Sequence, residues 1–209
     1  LGQVRTIEGE FTAQAFITTD LDDNQITAFH PGAMSHAHVN RVPADGGITL
    51  GVVAPDGRDG MLQHAEQFAA AGIPLLFDPG QGLPMFDGPE LLAFVERATW
   101  IAVNDYEAQL LAERTGLAPA ELARRVRALI VTRGADGSVI HADGREIPIP
   151  PVRPGQVVDP TGCGDAYRAG LIYGLQNGLD WETTGRIASL MGSIKIEHAG
   201  TQHHRFSRD

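Results

Sequence analysis

Residues 158–167, with the sequence VDPTGCGDAY, carry the groups best suited to chemistry in this chain. Glycines at 162 and 164 allow a sharp turn that brings successive backbone amides toward one point, and the first turn of a helix adds its own unpaired N–H donors. Such a cluster of donors binds an anion. Asp165 stands in the same first turn, where its carboxylate can accept a proton beside that anion. The segment therefore predicts an anion hole with an adjacent general base.

A structural interpretation of the same segment must be weighed against this one. Glycine-rich turns between a strand and a helix are common in parallel α/β proteins, because they let the helix pack closely on the sheet. Asp159 and Thr161, however, stand at fixed offsets from Asp165 and add oxygen-bearing side chains to the turn. The combination favours a phosphate-binding site over packing alone.

Asn104 and Glu107, in the segment NDYE, form a second candidate site. They are three residues apart on the opening turn of a predicted helix, so both side chains can face one spot. An amide and a carboxylate there can hold a hydrated magnesium ion and, through its water, phosphate oxygens. The alternative is a helix cap, since Asn is a favoured N-cap and Glu at the third helical position completes a capping box. Spacing alone favours the cap.

Thr132, Gly134 and Gly137, in the segment TRGADG, form a third candidate site. A threonine hydroxyl and exposed amides can bind a nucleotide phosphate, whereas a hairpin turn requires the glycines for backbone reasons only. The sequence contains no GxxxxGK followed by Ser or Thr, no GxGxxG between an early strand and a helix, and no GxSxG. A Walker-type nucleotidase, a dinucleotide-binding oxidoreductase and a nucleophile-elbow hydrolase therefore lose their main support.

The elements that must position these motifs begin near Gly47, where apolar strands start to alternate with amphipathic helices. We predict strands at 48–53, 74–77, 100–103 and 129–132, two short strands within 138–149, and helices at 58–71, 89–98, 105–115, 119–127, 165–177 and 181–197. This alternation is typical of a parallel sheet covered by helices on both faces, whose ligands bind beyond the carboxyl ends of the strands. FDPGQ at 77–81 and the three motifs above, each placed after a strand, are thus expected to lie together.

The first 40 residues have a different character. Strand-like runs at 12–19 and 25–29 flank a polar turn at 20–24, and the mobile-looking segment PGAMSHAHVN follows them. We predict a β-hairpin that projects from a larger body. The chain is accordingly divided into a β lid with return strands at 1–40 and an α/β domain at 41–209.

Composition limits the classes of partner. The 209 residues are 43% hydrophobic and 20% charged, which suits a globular protein with ample core. A formal charge of −10 argues against nucleic-acid and anionic-membrane partners, which require a clustered basic face, and no apolar run approaches a membrane span. The single cysteine, Cys163, fits a reducing compartment, so we predict a cytoplasmic protein. Near a helix N-terminus its thiol is expected to be unusually acidic.

With NDYE, TRGADG and DPTGCGDAY in this order, the sequence resembles the ribokinase family, also called the phosphofructokinase-B (PfkB) family of carbohydrate and nucleoside kinases. The resemblance covers nearly the whole chain. It implies a ribokinase-like three-layer α/β/α fold with a mostly parallel central sheet and a small β-hairpin lid. It also implies an ATP-binding and catalytic role for residues 41–209, with transfer of the γ-phosphate of ATP to a hydroxymethyl group on a sugar or nucleoside.

The resemblance further implies roles for individual residues. Asp165 would take the proton of the acceptor hydroxyl, while amides in the glycine turn stabilise the migrating phosphoryl group. The implied groups are Gly162, Cys163 and Gly164 in the anion hole; Asn104, Thr132, Gly134 and Gly137 on ATP; Glu107 on Mg²⁺ through water; and Asp159 and Thr161 where many members bind a monovalent cation such as K⁺. Phosphoryl transfer needs mainly alignment and charge neutralisation, which these groups can supply.

Within the family, DPTGCGDAYRAG, NDYEAQLL and the ending EHAGTQ are most similar to bacterial adenosine kinases, so the expected acceptor is a nucleoside, most simply adenosine. Phe11, Phe16 and Phe29 of the hairpin can offer a stacking surface for a purine, or can pack against the lid's own partner strand or a second subunit. A sugar kinase of the same family is the alternative, and a catalytically silent nucleotide- or sugar-binding sensor is the alternative from another class. A homodimer formed through the lid is a further expectation.

The start of the sequence favours a fragment. The chain begins at Leu1, and the run at 11–19 resembles a strand that starts in the middle of a fold. We expect the family's N-terminal part to be missing, with its early glycine-rich substrate motif and the acidic residue that grips the substrate hydroxyls. Most residues that specify the acceptor would lie in that part.

Overall fold

The protein was studied as a computed structural model, which describes residues 3–19, 25–43 and 46–207. In chain order the elements are β1 (Gln14–Thr19), β2 (Gln25–His30), β3 (Gly51–Val53), α1 (Arg58–Ala70), β4 (Leu75–Phe77), α2 (Gly88–Arg97), β5 (Trp100–Asn104), α3 (Asp105–Thr115), α4 (Pro119–Arg125), β6 (Ala128–Thr132), β7 (Ser138–Ala142), β8 (Arg145–Ile149), α5 (Cys163–Gln176) and α6 (Trp181–Ile196). Three short 3₁₀ helices lie at Gly32–Val39, Gly80–Met85 and Gly134–Asp136. The helices and strands predicted by residue range are present, with ends displaced by a few residues at most, whereas the strand expected directly before the glycine turn is not formed.

The central sheet has six strands in the order β3-β4-β5-β6-β7-β8. β3 to β6 pair in parallel, whereas β7 pairs antiparallel with both β6 and β8. Only β7 therefore opposes the other strands, and the predicted mostly parallel sheet is confirmed.

Both faces of the sheet are apolar, because successive residues of a strand point to opposite sides. On one face Phe77, Ile101 and Val131 pack in a buried cluster with residues from α1 to α4. On the other face Leu76 and Ala102 pack with residues from α5 and α6. The helices thus cover the sheet on both sides, which confirms the three-layer α/β/α arrangement.

Helices α5 and α6 pack against each other unusually closely. A Cβ atom added at Gly170 of α5 would lie 2.7 Å from the Cα of Ala188 in α6, so only glycine allows this separation. The contact fixes the position of α5, whose first turn contains the predicted catalytic segment, relative to α6.

The hairpin is formed as predicted, by β1 and β2 in antiparallel register. Its predicted turn at 20–24 lies outside the described residues. The segment PGAMSHAHVN, predicted to be mobile, contains the 3₁₀ helix Gly32–Val39, which packs on α1 because Gly60 leaves room for Ala37. None of the described helices is both long and apolar enough to cross a membrane. The domain boundary near residue 40 stays a prediction.

Candidate active site

Polar residues line the carboxyl edge of the sheet, as the strand-end argument predicts. Asp78 follows β4, Asn104 ends β5, and Thr132 ends β6 directly opposite Asn104. Ser138, at the start of β7, continues the row on the far side of Thr132. The segments FDPGQ, NDYE and TRGADG therefore lie along one edge of the molecule.

The glycine turn reaches this edge by a route that the sequence did not indicate. We expected a strand before it, but residues 150–160 form neither helix nor strand. Three prolines between 150 and 154 explain the difference, because proline cannot donate to a strand ladder. The amides of Val158 and Asp159 instead donate to the carbonyl of Ile196, at 2.9 and 3.1 Å, at the end of α6. The turn is thus held by a helix terminus rather than by the sheet.

Gly162 determines the shape of the turn. It is the N-cap of α5, with φ +85° and ψ 4°, a left-handed conformation that favours glycine. A Cβ atom there would also lie 3.2 Å from the Cβ of Thr201. Since Ala166 N–H donates to the Gly162 carbonyl, the helix starts immediately after the turn. The amides of its first turn are left pointing out of the helix end.

Three amides are available at this helix end. Those of Gly162, Gly164 and Asp165 have no acceptor among the described residues. The amide of Cys163, which the resemblance assigned to the anion hole, donates to the Pro160 carbonyl at 3.1 Å and closes the turn. The local donor set therefore contains the Asp165 amide in place of the expected Cys163 amide, while Gly162 and Gly164 are kept.

The Cys163 thiol is not acidic, contrary to the expectation from its place at a helix N-terminus. Burial raises its pKa, and the positive charge of Lys195 opposes that effect without reversing it. The thiolate of a half-buried cysteine loses solvation, and this loss outweighs the stabilisation that the helix end and the nearby cation give to the thiolate.

Asp165 lies in the first turn of α5, and its side chain is exposed. Asp165 is the next residue after Gly164, whose amide is unpaired. Its carboxylate and the unpaired amide donors therefore belong to one helix turn. Burial is the main cause that raises the pKa of Asp78, and the negative charge of Asp165 adds to it. The structure thus has a carboxylate and unpaired amide donors side by side, the two kinds of group that the sequence predicts for this turn.

Sequence reasoning missed Arg168, which lies one turn after Asp165. Its guanidinium binds both carboxylate oxygens of Asp78, with Nε 2.5 Å from Oδ2 and Nη2 donating to Oδ1 at 2.8 Å. Nη1 also donates to the Gly164 carbonyl at 3.3 Å. Burial raises the pKa of Asp78, and the Arg168 charge works in the opposite direction. The pair fixes the anion-binding turn against the end of β4.

Asn104 and Glu107 form the capping box that their spacing favours. Asn104 Oδ1 accepts the Glu107 amide at 2.7 Å, and Glu107 Oε2 accepts the Asn104 amide at 2.8 Å. Burial raises the pKa of Glu107, with the Asn104 amide and then Arg168 opposing it. The cap uses one carboxylate oxygen, and Oε1 has no partner in the described part of the chain. That oxygen fits a water of a hydrated magnesium ion, the form in which a single carboxylate holds this metal.

A cavity of about 820 Å³ lies beside the glycine turn. Small and apolar residues dominate its lining, with a few polar side chains, a composition typical of small-molecule sites. The lining is Thr132, Gly134, Ala135, Asp136, Gly137, Pro151, Val152, Arg153, Pro154, Val157, Pro160, Cys163, Gly164, Tyr167, Ser189, Gly192, Ser193 and Ile196. Three predicted nucleotide ligands, Thr132, Gly134 and Gly137, line it, whereas Asn104 and Glu107 do not.

The two glycines of TRGADG also serve the hairpin between β6 and β7. Arg133 N–H donates to the Gly137 carbonyl at 2.8 Å, and Gly137, with φ +86°, has no room for a Cβ atom beside the Ile149 carbonyl. Gly134, with φ +55°, has open space around it. Gly137 is thus explained by the turn itself, and Gly134 combines a turn conformation with a free side facing the cavity.

Asp159 and Thr161, the expected cation ligands, are engaged differently. Asp159 accepts the Thr161 amide on Oδ1 at 2.9 Å and the Gly200 amide on Oδ2 at 2.8 Å, bonds that lower its pKa to about 2. The ammonium of Lys195, which is 0% exposed, lies 3.9 Å from Oδ2 and donates to the Asp159 carbonyl at 2.6 Å. A positively charged group already stands where the resemblance implied a potassium ion, so the residues do not fit that ion.

The three hairpin phenylalanines do not form one stacking surface. Phe16 pairs with Ala28, and Phe29 pairs with Ala15, so Phe16 and Phe29 point to opposite faces of the hairpin. Phe11, Phe16 and Phe29 are 75%, 63% and 52% exposed. At most two of them can contact a single planar ligand.

The chain is similar in sequence and fold to known nucleoside kinases. A nucleoside kinase of Methanocaldococcus jannaschii is 36% identical over 195 residues, which are 93% of this chain and 64% of that protein. The structure of Burkholderia thailandensis nucleoside kinase in complex with inosine is 56% identical, has a TM-score of 0.92, and matches 94% of this chain and 66% of that one. Another structure of the Burkholderia enzyme is in complex with ADP-inosine. This chain therefore spans less than two thirds of the length of these relatives.

The fold extends to more distant kinases. The crystal structure of adenosine kinase from Sinorhizobium meliloti has a TM-score of 0.81, matching 95% of this chain and 65% of that one, and at 22% identity this likeness concerns the fold alone. The model of the pfkB family carbohydrate kinases matches residues 3–206, nearly the whole chain. Because this match covers almost all residues and the fold agrees with it, the chain belongs to the pfkB family of carbohydrate kinases.

Proposed function

We propose that this chain carries the ATP-binding and phosphoryl-transfer half of a nucleoside kinase, with a purine nucleoside as the acceptor. The observation that carries the proposal is the start of α5, where Asp165 lies beside the unpaired amides of Gly162 and Gly164, and where Gly164 lines the cavity. Such a turn provides both requirements of the reaction, a base for the acceptor hydroxyl and a cradle for the transferred group.

On the donor side, ATP occupies the cavity with its base against the apolar lining around Val157 and Ile196. Its phosphates then run along 132–137 toward the helix end, where the amides hold the γ-phosphoryl group. A helix N-terminus favours this negative charge through its dipole as well as its free N–H groups. Bound magnesium supplies further neutralisation of phosphate charge, and the free oxygen of Glu107 is the group that would hold it through water.

On the acceptor side, Asp165 accepts the proton of the hydroxymethyl group. The hydroxyl oxygen then bonds to the γ-phosphorus while the bond between this phosphorus and the β-phosphate oxygen breaks, and ADP leaves. Asp165 is the neighbour of Gly164, which lines the cavity, so the acceptor oxygen and the γ-phosphorus can meet at the amide cradle. In-line placement of the attacking and leaving oxygens is the geometry that this reaction requires.

The nature of the acceptor rests on the relatives. The Burkholderia enzyme is a nucleoside kinase in complex with inosine, and the Methanocaldococcus relative is also a nucleoside kinase. Adenosine, a purine nucleoside like inosine, is the acceptor we propose. Phe16 and Phe29 lie on opposite faces of the hairpin, and either of them can stack on the purine base.

We also propose a homodimer formed through the hairpin. Phe16 and Ile26 lie on one face of it, diagonally across the two strands, and are 63% and 79% exposed. Exposed apolar residues of this size on a two-stranded sheet favour a covering partner. Sedimentation of the full-length protein with and without Phe16→Ser tests this, since a dimer through the lid dissociates in the variant.

A coupled assay of ADP release by the natural full-length protein tests the function, with adenosine, inosine, ribose and fructose compared as acceptors. The Asp165→Asn variant should lose about 10²–10⁴-fold in kcat while ADP affinity is kept. Asp59→Asn is the matched control, because it also removes a carboxylate from the first turn of a helix, α1. Turnover near that of the wild type in Asp165→Asn would exclude this mechanism, and a preference for ribose or fructose would exclude the nucleoside.

A further inference from the structure

Lys195 is the only lysine in the 209 residues, beside 15 arginines. It lies in the last turn of α6, and its side chain is 0% exposed. A buried ammonium is costly unless its donors and its charge are satisfied. Here Nζ donates to the carbonyls of Asp159 at 2.6 Å and His198 at 3.1 Å, and the Asp159 carboxylate lies 3.9 Å away. The negative end of the α6 dipole adds to this stabilisation.

The groups around Lys195 are those that shape the phosphate-binding turn. Asp159 joins the ammonium to the amide of Thr161, inside the turn, and to that of Gly200, beyond α6. Ile196, the neighbour of Lys195, accepts the amides that precede the turn and also lines the cavity. The charge of Lys195 is thus placed directly behind the helix end that binds the anion, and it also reaches Cys163 in that turn.

We propose that Lys195 is a built-in monovalent cation, which holds the phosphate-binding turn in place of a bound potassium ion. The ammonium has the charge and roughly the size of K⁺, and it already occupies the carbonyl oxygens of Asp159 and His198, groups of the kind that bind such an ion. A second cation would face its repulsion at contact distance. Lys195 is a positioning residue, and nucleotide binding by this protein is independent of potassium. The inference rests on the proposed nucleotide site but not on the identity of the acceptor.

The test uses the natural full-length protein without any nucleoside. Its melting temperature and its ADP affinity, by calorimetry, are measured in KCl, NaCl and choline chloride at equal ionic strength. The wild type should give the same values in all three salts, within twofold for the affinity. A tenfold tighter affinity or a clearly higher melting temperature in KCl alone would overturn the proposal.

The Lys195→Met variant, similar in length but neutral, completes the test. It should bind ADP at least tenfold more weakly in choline chloride and should regain affinity and thermal stability in KCl more than in NaCl. Arg186→Met, on the exposed side of the same helix, is the matched control and should show neither effect. An unchanged ADP affinity and melting temperature in Lys195→Met would also overturn the proposal. If this variant does not fold, the wild-type salt series decides the question. Neither measurement uses a nucleoside, so a negative result in the nucleoside assay would not affect this test of Lys195.

Discussion

Arg168 and Asp78, 90 residues apart in the chain, form a nearly buried ion pair that joins the helix of the predicted base to the end of β4. Because the same guanidinium also contacts the Gly164 carbonyl, the position of the anion-binding turn is coupled to the carboxyl edge of the sheet. The pair thus connects the packing of the fold to the geometry of the site.

Replacing Arg168 with Met should destabilise the protein by about 3–5 kcal/mol, since it leaves the Asp78 carboxyl buried without its partner. Urea unfolding measures this loss. Arg186→Met removes an exposed i,i+4 pair with Glu182 and should cost less than about 0.5 kcal/mol. Equal losses in the two variants would show that the buried pair has no special weight. Adding Asp78→Leu to Arg168→Met should recover part of the stability.

Replacing Gly162 with Ala should weaken ADP binding and turnover as well as stability. The left-handed backbone costs an alanine about 1–2 kcal/mol, and its methyl group would press on Thr201. Gly178→Ala is the control, because Gly178 also has a positive φ, +63°, but open space around it. We expect both variants to lose stability, with the larger loss in Gly162→Ala because of the contact with Thr201, and a loss of ADP affinity in Gly162→Ala alone. Unchanged ADP affinity in that variant would contradict an anion hole at this turn.

Glu107→Gln separates the cap from the metal. Glutamine also completes a capping box, so the melting temperature should stay close to that of the wild type. The magnesium concentration for half-maximal activity should rise about tenfold or more, because the carboxylate that holds the hydrated ion is gone. Glu121, at the start of α4, accepts the Ala118 amide at 2.8 Å in the same way, and Glu121→Gln should leave the magnesium requirement unchanged. A Glu107→Gln variant with wild-type magnesium dependence would restrict this residue to capping.

The low pKa of Asp159 predicts a specific loss of stability in acid. The folded value of about 2 lies below the ordinary 3.8, so between these values the unfolded chain binds more protons than the folded one. The contribution of this carboxylate is complete above about pH 4 and is lost as the pH falls toward 2. Urea unfolding of the wild type and of Asp159→Asn should therefore show a difference that is constant near neutral pH and shrinks below pH 4. A difference that does not change with pH would contradict the two amide bonds as its source.

Local patterns predicted much of this molecule. The start of α3 and its capping box were predicted from Asn104 and Glu107, which are three residues apart. The three layers were predicted from the alternation of strands and helices. The strand-end rule correctly brought Asp78, Asn104 and Thr132 to one edge, because parallel neighbours share a direction.

Local sequence patterns could not predict interactions between segments that are distant in the chain. Arg168 and Lys195 act on partners 90 and 36 residues away, and Lys195 binds carbonyl oxygens, which every residue has. The proline-rich route through 150–160 was missed because its amides pair with the end of α6 rather than with a strand. The Cys163 amide was misassigned for a similar reason, since closing a turn consumes one donor that the sequence cannot distinguish from its neighbours. A solitary lysine among arginines was the one available signal for Lys195.

All residues that line the cavity lie between Thr132 and Ile196. The groups proposed to enclose the nucleotide therefore form one continuous stretch of sequence, and only the proposed magnesium ligand, Glu107, precedes it. On the proposed function, substitutions in the hairpin can change the acceptor without touching any residue that lines the nucleotide cavity.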